Sequence, residues 1–372
     1  MAAGVTADRR QASGCRSARE RFVKSEVHSL QRGPFIRSVV MSTFSEPIFD
    51  VAQLAHVELL TPDFDGTLYF FKDLMGMQET ERHDRSAYLR GYEEQYHHSL
   101  KVTEAQHAGL GHVAWRTRSP QALERRVAAI EAAGLGRGWI DGDVGHGRAF
   151  SFETPEGHPM ELLWDVDYVT VPSGQETPLH NRPQKRPPNG VPVRRIDHLN
   201  VMAANTGVCR DFMVDVLGFR ERERVVGDDG GPVIASWLSV TNLSHDIAIV
   251  PEPTEMRGRF HHVCFHYISV QHLFDLAELA KEAGISIEHG PGRHGIGGAT
   301  FLYMLEPGGN RVEVMGDPGY MIFDPAWRTV VWEASKIADG VVWSGSPVPD
   351  SFWVYGTPPA QNRQATPNEA AA

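Results

Sequence analysis

The sequence predicts an α+β protein made of four repeated strand–helix–strands (βαβββ) modules. They are expected to form two domains, each a partly closed mixed β-barrel. Three observations carry this expectation: the same strand-then-helix pattern recurs four times, corresponding landmarks fall at constant intervals, and a proline-rich stretch separates the two pairs.

The first and third modules open alike. LAHVELLTPD leads into DGTLYFFKDLMGM, and RRIDHLNVMA leads into GVCRDFMVDVLGF. Phe70 and Leu74 share one helical face, as do Val208, Phe212 and Val216, and Gly76 and Gly218 close the helices. His56 and His198 are 142 positions apart, and so are Gly76 and Gly218. The second and fourth modules repeat the scheme. Leu123, Val127 and Ile130 mark one helix; Leu273, Leu276, Ala277 and Ala280 mark the other. Here His112 to His262 and Gly134 to Gly284 are both intervals of 150. Each pair then ends in short strands and a turn, TPEGHPMELLW and EPGGNRVEVMG. A helix crossing between strands buries one face of a curved sheet, and two half-sheets can enclose a pocket.

This gives a domain plan. Residues 1–45 are Arg- and Ser-rich without apolar periodicity and are expected to be a poorly ordered extension, with Met41 as the natural start. Residues 46–170 form the first domain, 171–193 a Pro-rich linker, 194–320 the second domain, and 321–372 a tail rich in tryptophan that covers the pocket or joins subunits.

Composition narrows the function. A formal charge of -11 disfavours a nucleic-acid partner. No apolar run reaches the roughly 18 residues of a membrane span. Three scattered cysteines, Cys15, Cys209 and Cys264, suit neither a disulfide framework nor a thiolate metal site, and fit a reducing cytoplasm.

Strand alternation then selects a site. In RRIDHLNV, Ile196, His198 and Asn200 face one way, and Asp197, Leu199 and Val201 the other. In RFHHVCFH, Phe260, His262 and Cys264 are expected together, with His261 opposite; in NRVEVM, Glu313 points away from Val312 and Val314. Polar groups among apolar strand positions are costly to bury without partners. Two imidazoles and a carboxylate around one cation resolve that cost, and this is the open facial set of non-haem Fe(II) oxygenases; Mn(II) suits the same donors.

The order of these motifs resembles the type I extradiol catechol dioxygenases of the vicinal oxygen chelate superfamily. The resemblance spans about residues 50–345: IDHLN, SHD at Ser244–Asp246, HHVCF, GPGRHG at Gly290–Gly295, FLYMLEP and NRVEV. It implies a ring-cleaving enzyme using O2 and a small catechol, assembled as a homo-oligomer, often a tetramer. His198, His262 and Glu313 would hold the metal, His245 would act as acid–base, and Tyr303 would hydrogen-bond the substrate. His294, Asn200, Trp237 and His289 would contribute to substrate binding. Relatives acting on carboxylate-bearing catechols tend to carry arginine where His289 stands, which points to an uncharged catechol here. The first domain keeps His56, His112 and Glu161, and His98 near the place of His245, but has Ser151 where the second has Tyr303. This set is read as a relic of duplication. The rival readings are 4-hydroxyphenylpyruvate dioxygenase-like chemistry, a glyoxalase-type isomerase or lyase, and a metal-free binding protein on the same modules.

Overall fold

The computed structural model describes residues 46–360. The expected extension, Cys15 and the last residues of the tail lie outside the described residues. Each module is one strand, one helix and three more strands. The first comprises β1 (Val51–Thr61), α1 (Phe64–Tyr69) continued by a wide turn at Phe70–Leu74, β2 (Gln78–His83), β3 (Ser86–Arg90) and β4 (Leu100–Glu104). The second comprises β5 (Gly109–Thr117), α2 (Pro120–Ala132), β6 (Gly136–Ile140), β7 (Ala149–Glu153) and β8 (Pro159–Leu163). The third runs β9 (Arg195–Ala203), α3 (Thr206–Asp215), β10 (Arg220–Val226), β11 (Val233–Ser239) and β12 (Ile247–Pro251). The fourth runs β13 (Phe260–His266), α4 (Val270–Glu282), β14 (Ser286–Arg293), β15 (Thr300–Leu305) and β16 (Arg311–Met315).

Two mixed sheets result. The first has the order β2-β3-β4-β1-β5-β8-β7-β6, and the second β14-β15-β16-β13-β9-β12-β11-β10, extended at its edge by β17 (Val330–Glu333) from the tail. Within each sheet the two modules join through antiparallel first strands, β1 with β5 and β9 with β13. Each first strand pairs parallel with its own module's last.

The helices start on side-chain caps: Asp63, Ser119, Asn205 and Ser269 each accept from a backbone N–H of the first turn. Their apolar faces enter the core largely as the periodicity predicts, with one exception. Val208 is 46% exposed, and the buried face of α3 is Cys209, Phe212 and Met213. Cys209 occupies the position of Thr67 in the first module, so the repeat marks the inner face of α3 better than hydrophobicity does. Gly76 and Gly218 take φ of +63° and +82°, the left-handed helix end that only glycine adopts at low cost.

The halves share one core, in which Phe71 meets Phe265 and Trp115 meets Phe219. They also exchange equivalent contacts. His158 Nε2 donates to Met202 O (2.9 Å), while Asn310 Nδ2 donates to Leu60 O (3.0 Å). Each last-turn side chain thus satisfies a carbonyl on the other half's opening strand, giving the two halves a pseudo-two-fold relation.

Candidate metal centre and substrate cavity

The open face of the second sheet lines a cavity of about 400 Å³. His198 reaches it from β9, His262 from β13 and Glu313 from β16. Glu313 is buried, and its Oε2 lies 3.1 Å from His198 Nε2 and 3.0 Å from His262 Nε2. Val312 and Val314, on either side, enter the core as alternation predicts.

Alternation fails at one place. A bulge between Phe260 and His262 shifts the register against β9, sending Phe260 into the core and bringing His261 to the cavity beside His262. The expected grouping of Phe260 with His262 and Cys264, and the opposite facing of His261, are therefore corrected. Cys264 does lie beside Glu313 and His198, but its Sγ–H points to Phe265 O, and burial pushes the thiol well above its ordinary range. It stays protonated and is a poor donor to a cation.

The bulge has a chemical consequence. His261 Nε2 donates to Phe352 O at 2.9 Å, so His261 Nδ1 is left as an acceptor, 2.6 Å from His262 Nδ1. The proton on His262 therefore sits at Nδ1, and Nε2 presents a lone pair. Burial reinforces this by lowering His262 to about 4. His198 is oriented similarly, with Nδ1 3.1 Å from Asp197 Oδ1. Burial opposes charge on His198, yet the Asp197 and Glu313 carboxylates outweigh it and hold the group at about 9.

These residues fit a divalent ion. The lone pair of His262 Nε2 faces a carboxylate oxygen at 3.0 Å with no hydrogen bond between them, an arrangement that is repulsive unless a cation lies among them. Carboxylate and imidazole partners behind each histidine are the usual support of a metal-binding imidazole. Sequence reasoning passed over three of these supports. Asp197 and His261 fell on the wrong face of an ideal strand, and Phe352 contributes a backbone carbonyl that has no sequence signature.

Around the triad stand the other expected residues. The His245 ring is 4.0 Å from that of His198, and its Nδ1 pairs with Ser244 Oγ at 3.1 Å. Burial and the His198 charge push His245 well below its ordinary value, so it is a neutral base. Tyr303 lies opposite Glu313 across β15 and β16. Burial, with Glu313 adjacent, raises its hydroxyl well above the usual range, keeping it a donor. His294 Nε2 is 3.1 Å from Tyr303 Oη and 3.2 Å from Glu313 Oε1, while its Nδ1 is held by Val341 O. Asn200 and Trp237 line the same cavity, and Asn200 Oδ1 is buried without a partner.

His289 is not brought to the cavity. It stacks on Phe301, which also stacks on His294. A register shift in β14 between His289 and Gly292 separates it from the cavity-facing part of that strand.

The tail closes the far wall. Ile337, Val341, Phe352 and Val354 face the cavity from α5 (Ile337–Val341) and α6 (Asp350–Val354). Buried Glu223 fastens this segment by accepting from Trp332 Nε1 (2.7 Å), Tyr320 Oη and Gly297 N (2.6 Å). Gly297, at φ +69°, leaves no room for a side chain: a Cβ there would lie 2.9 Å from Ser244 Oγ.

In the first half, His56, His112 and Glu161 also converge, their donor atoms lying within 4.8 Å of one another. The adjoining cavity is only about 10 Å³.

The family model for the Glyoxalase/Bleomycin resistance protein/Dioxygenase superfamily matches residues 53–162 and 195–314, one stretch in each half. A metapyrocatechase from Geobacillus stearothermophilus is 53% identical over 316 residues, covering 85% of this chain and 96% of that protein. A manganese-dependent 2,3-dihydroxybiphenyl 1,2-dioxygenase from Geobacillus genomosp. 3 is 35% identical over 300 residues, 80% of this chain and 94% of the other. The crystal structure of homoprotocatechuate 2,3-dioxygenase from Arthrobacter globiformis superposes with a TM-score of 0.73 at 26% identity, over 86% of this chain and 96% of that one. The chain belongs to this superfamily, among its extradiol ring-cleaving dioxygenases.

Proposed function

We propose that the second half cleaves an uncharged, substituted catechol with O2, beside one of its hydroxyl-bearing carbons, at a single Fe(II) held by His198, His262 and Glu313. The observation that carries the reading is the cavity of about 400 Å³: the triad forms its floor, His245, Tyr303 and His294 stand beside it, and its other walls are apolar. No lysine or arginine is among the described residues that line it, so a substrate carboxylate would find no ionic partner.

When bound, the ion supplies positive charge that favours an ionised catechol and an electronic path between substrate and O2. The chain's own groups do the rest. His245, neutral and beside His198, accepts a catechol proton and returns it as the ring opens. Tyr303 donates toward a substrate oxygen, and His294 Nε2 and Asn200 Oδ1 accept from polar hydrogens beside it. Trp237 and the tail hold the ring in a dry, fixed orientation, which raises the effective concentration of the reacting pair. The product is a muconic semialdehyde-type dienoate carrying both oxygen atoms.

Mn(II) is the second reading, because the same donors suit it and one relative is named as manganese-dependent. The proposal also includes the two-domain division with its linker, a homotetramer, and a cytoplasmic location. The buried free thiols of Cys209 and Cys264 fit that compartment. Among the described residues no helix is long and apolar enough to cross a membrane.

The test is anaerobic loading with Fe(II), then with Mn(II), followed by catechol and air. A yellow product with one O2 consumed per catechol, and a preference for alkylated over carboxylated catechols, supports the reading. Bound metal with no ring fission of any catechol overturns it.

A further inference from the structure

We propose that the first half of the chain holds a divalent ion of its own, a structural ion of the zinc type, between His56, His112 and Glu161, with His98 as fourth donor. This goes beyond the ring-cleaving reading and does not depend on it.

The tautomers point that way. His112 Nδ1 donates to Glu58 Oε2 at 2.9 Å, so the neutral ring presents a lone pair at Nε2, and that atom lies 2.8 Å from His56 Nε2. Glu161 Oε2 sits 3.7 Å from the same nitrogen, in a residue 9% exposed, with no hydrogen-bond partner. His98 adds an independent indication. His97 Nε2 lies 3.3 Å from Glu81 Oε2, and His97 Nδ1 pairs with His98 Nδ1 at 3.2 Å. His98 Nε2 is buried and unpartnered, in a ring 4.6 Å from that of His56 and lining the same small cavity.

Charge and space agree. Glu58, Glu161 and Asp143 carry three negative charges against Lys101, which lies 3.3 Å from Glu58 and 2.5 Å from Asp143, and the Arg116 guanidinium that lines the same cavity, leaving the carboxylates in excess. The surplus suits a dication. A cavity of about 10 Å³ has no room for an organic substrate, and three imidazoles with one carboxylate supply four nitrogen and oxygen donors of the kind zinc accepts, with no position left open. The rival is a direct hydrogen bond between His56 and His112 with no ion.

The test loads the full-length protein with Zn(II), removes loose metal by gel filtration, and counts ions per subunit by mass spectrometry. Two are expected in the parent and one in the second-half variant His262→Asn/Glu313→Gln. One further ion is lost from either protein on adding Glu161→Gln. X-ray absorption of the zinc in the second-half variant is expected to show an imidazole-rich nitrogen and oxygen shell, a readout that needs no first-half variant to fold. Removing that ion is expected to lower Tm. One ion in the parent, none in the second-half variant, or an ion there with no imidazole shell overturns the proposal. So does a second ion that survives Glu161→Gln.

Discussion

In the second half the His198 ring stands 4.0 Å from His245, and in the first the His56 ring stands 4.6 Å from His98. Glu313 lies opposite Tyr303 on the neighbouring strand, and Glu161 opposite Ser151. The backbones thus present the same positions, and the difference comes from what stands around them. Opposite His112 is Glu58, which pairs in turn with Lys101; opposite His262 is Asn200, which pairs with Ala248. In the first half an ion-paired Glu58–Lys101–Asp143 group stands beside the candidate ligands and the adjoining cavity is only about 10 Å³. In the second, small or neutral side chains leave it open, and the tail roofs it with apolar residues. The same donor positions recur in both halves, whereas catalysis requires room for a second reactant as well.

The sharpest way to break this comparison is to make the same change in each half. Glu313→Gln is expected to abolish ring cleavage, and Glu161→Gln to leave the rate unchanged, both read by O2 uptake. Equal loss in the two would place chemistry in both halves. The paired histidines come next. His245→Asn is expected to lower kcat by about 10²- to 10⁴-fold through loss of general acid–base catalysis. Metal content should be unaffected, and His98→Asn should spare kcat.

A third contrast concerns His158 and its counterpart Asn310. Burial lowers His158 to about 4 against an ordinary 6.5, so it folds neutral. Stability from this group is full above pH 6.5 and is lost as pH falls toward 4. The shift corresponds to about 3 kcal/mol at most. His158→Asn, which copies the second half, is expected to flatten that part of the urea-unfolding profile; an unchanged pH slope would refute the assignment. The smallest effect is expected at His261→Leu, which removes the acceptor behind His262. It should weaken metal affinity about 10- to 100-fold in chelator competition, and unaltered affinity would mean that the bulge is merely structural.

Much of the site was legible beforehand because strands alternate: His198 and Asn200 share a face, and Glu313 opposes its valine neighbours. Alternation misled at His261 because a bulge adds a residue without marking the sequence. The resemblance misled at His289, because a register shift and the Phe301 ring separate that residue from the cavity. Val208 misled because it lies at the edge of the buried face of a short helix, where Cys209 turns inward instead.

What the sequence by itself determined is the repeat and, through it, the α+β fold and the candidate ligand positions. Constant intervals of 142 and 150 residues leave little freedom in how the modules correspond. Which site has room, which nitrogen of each histidine faces it, and what closes it were decided by tertiary structure. A cavity is the difference between packed volumes, and a tautomer is set by a partner distant in the chain, such as Phe352 O for His261. Neither quantity is local, so neither is written in any single segment.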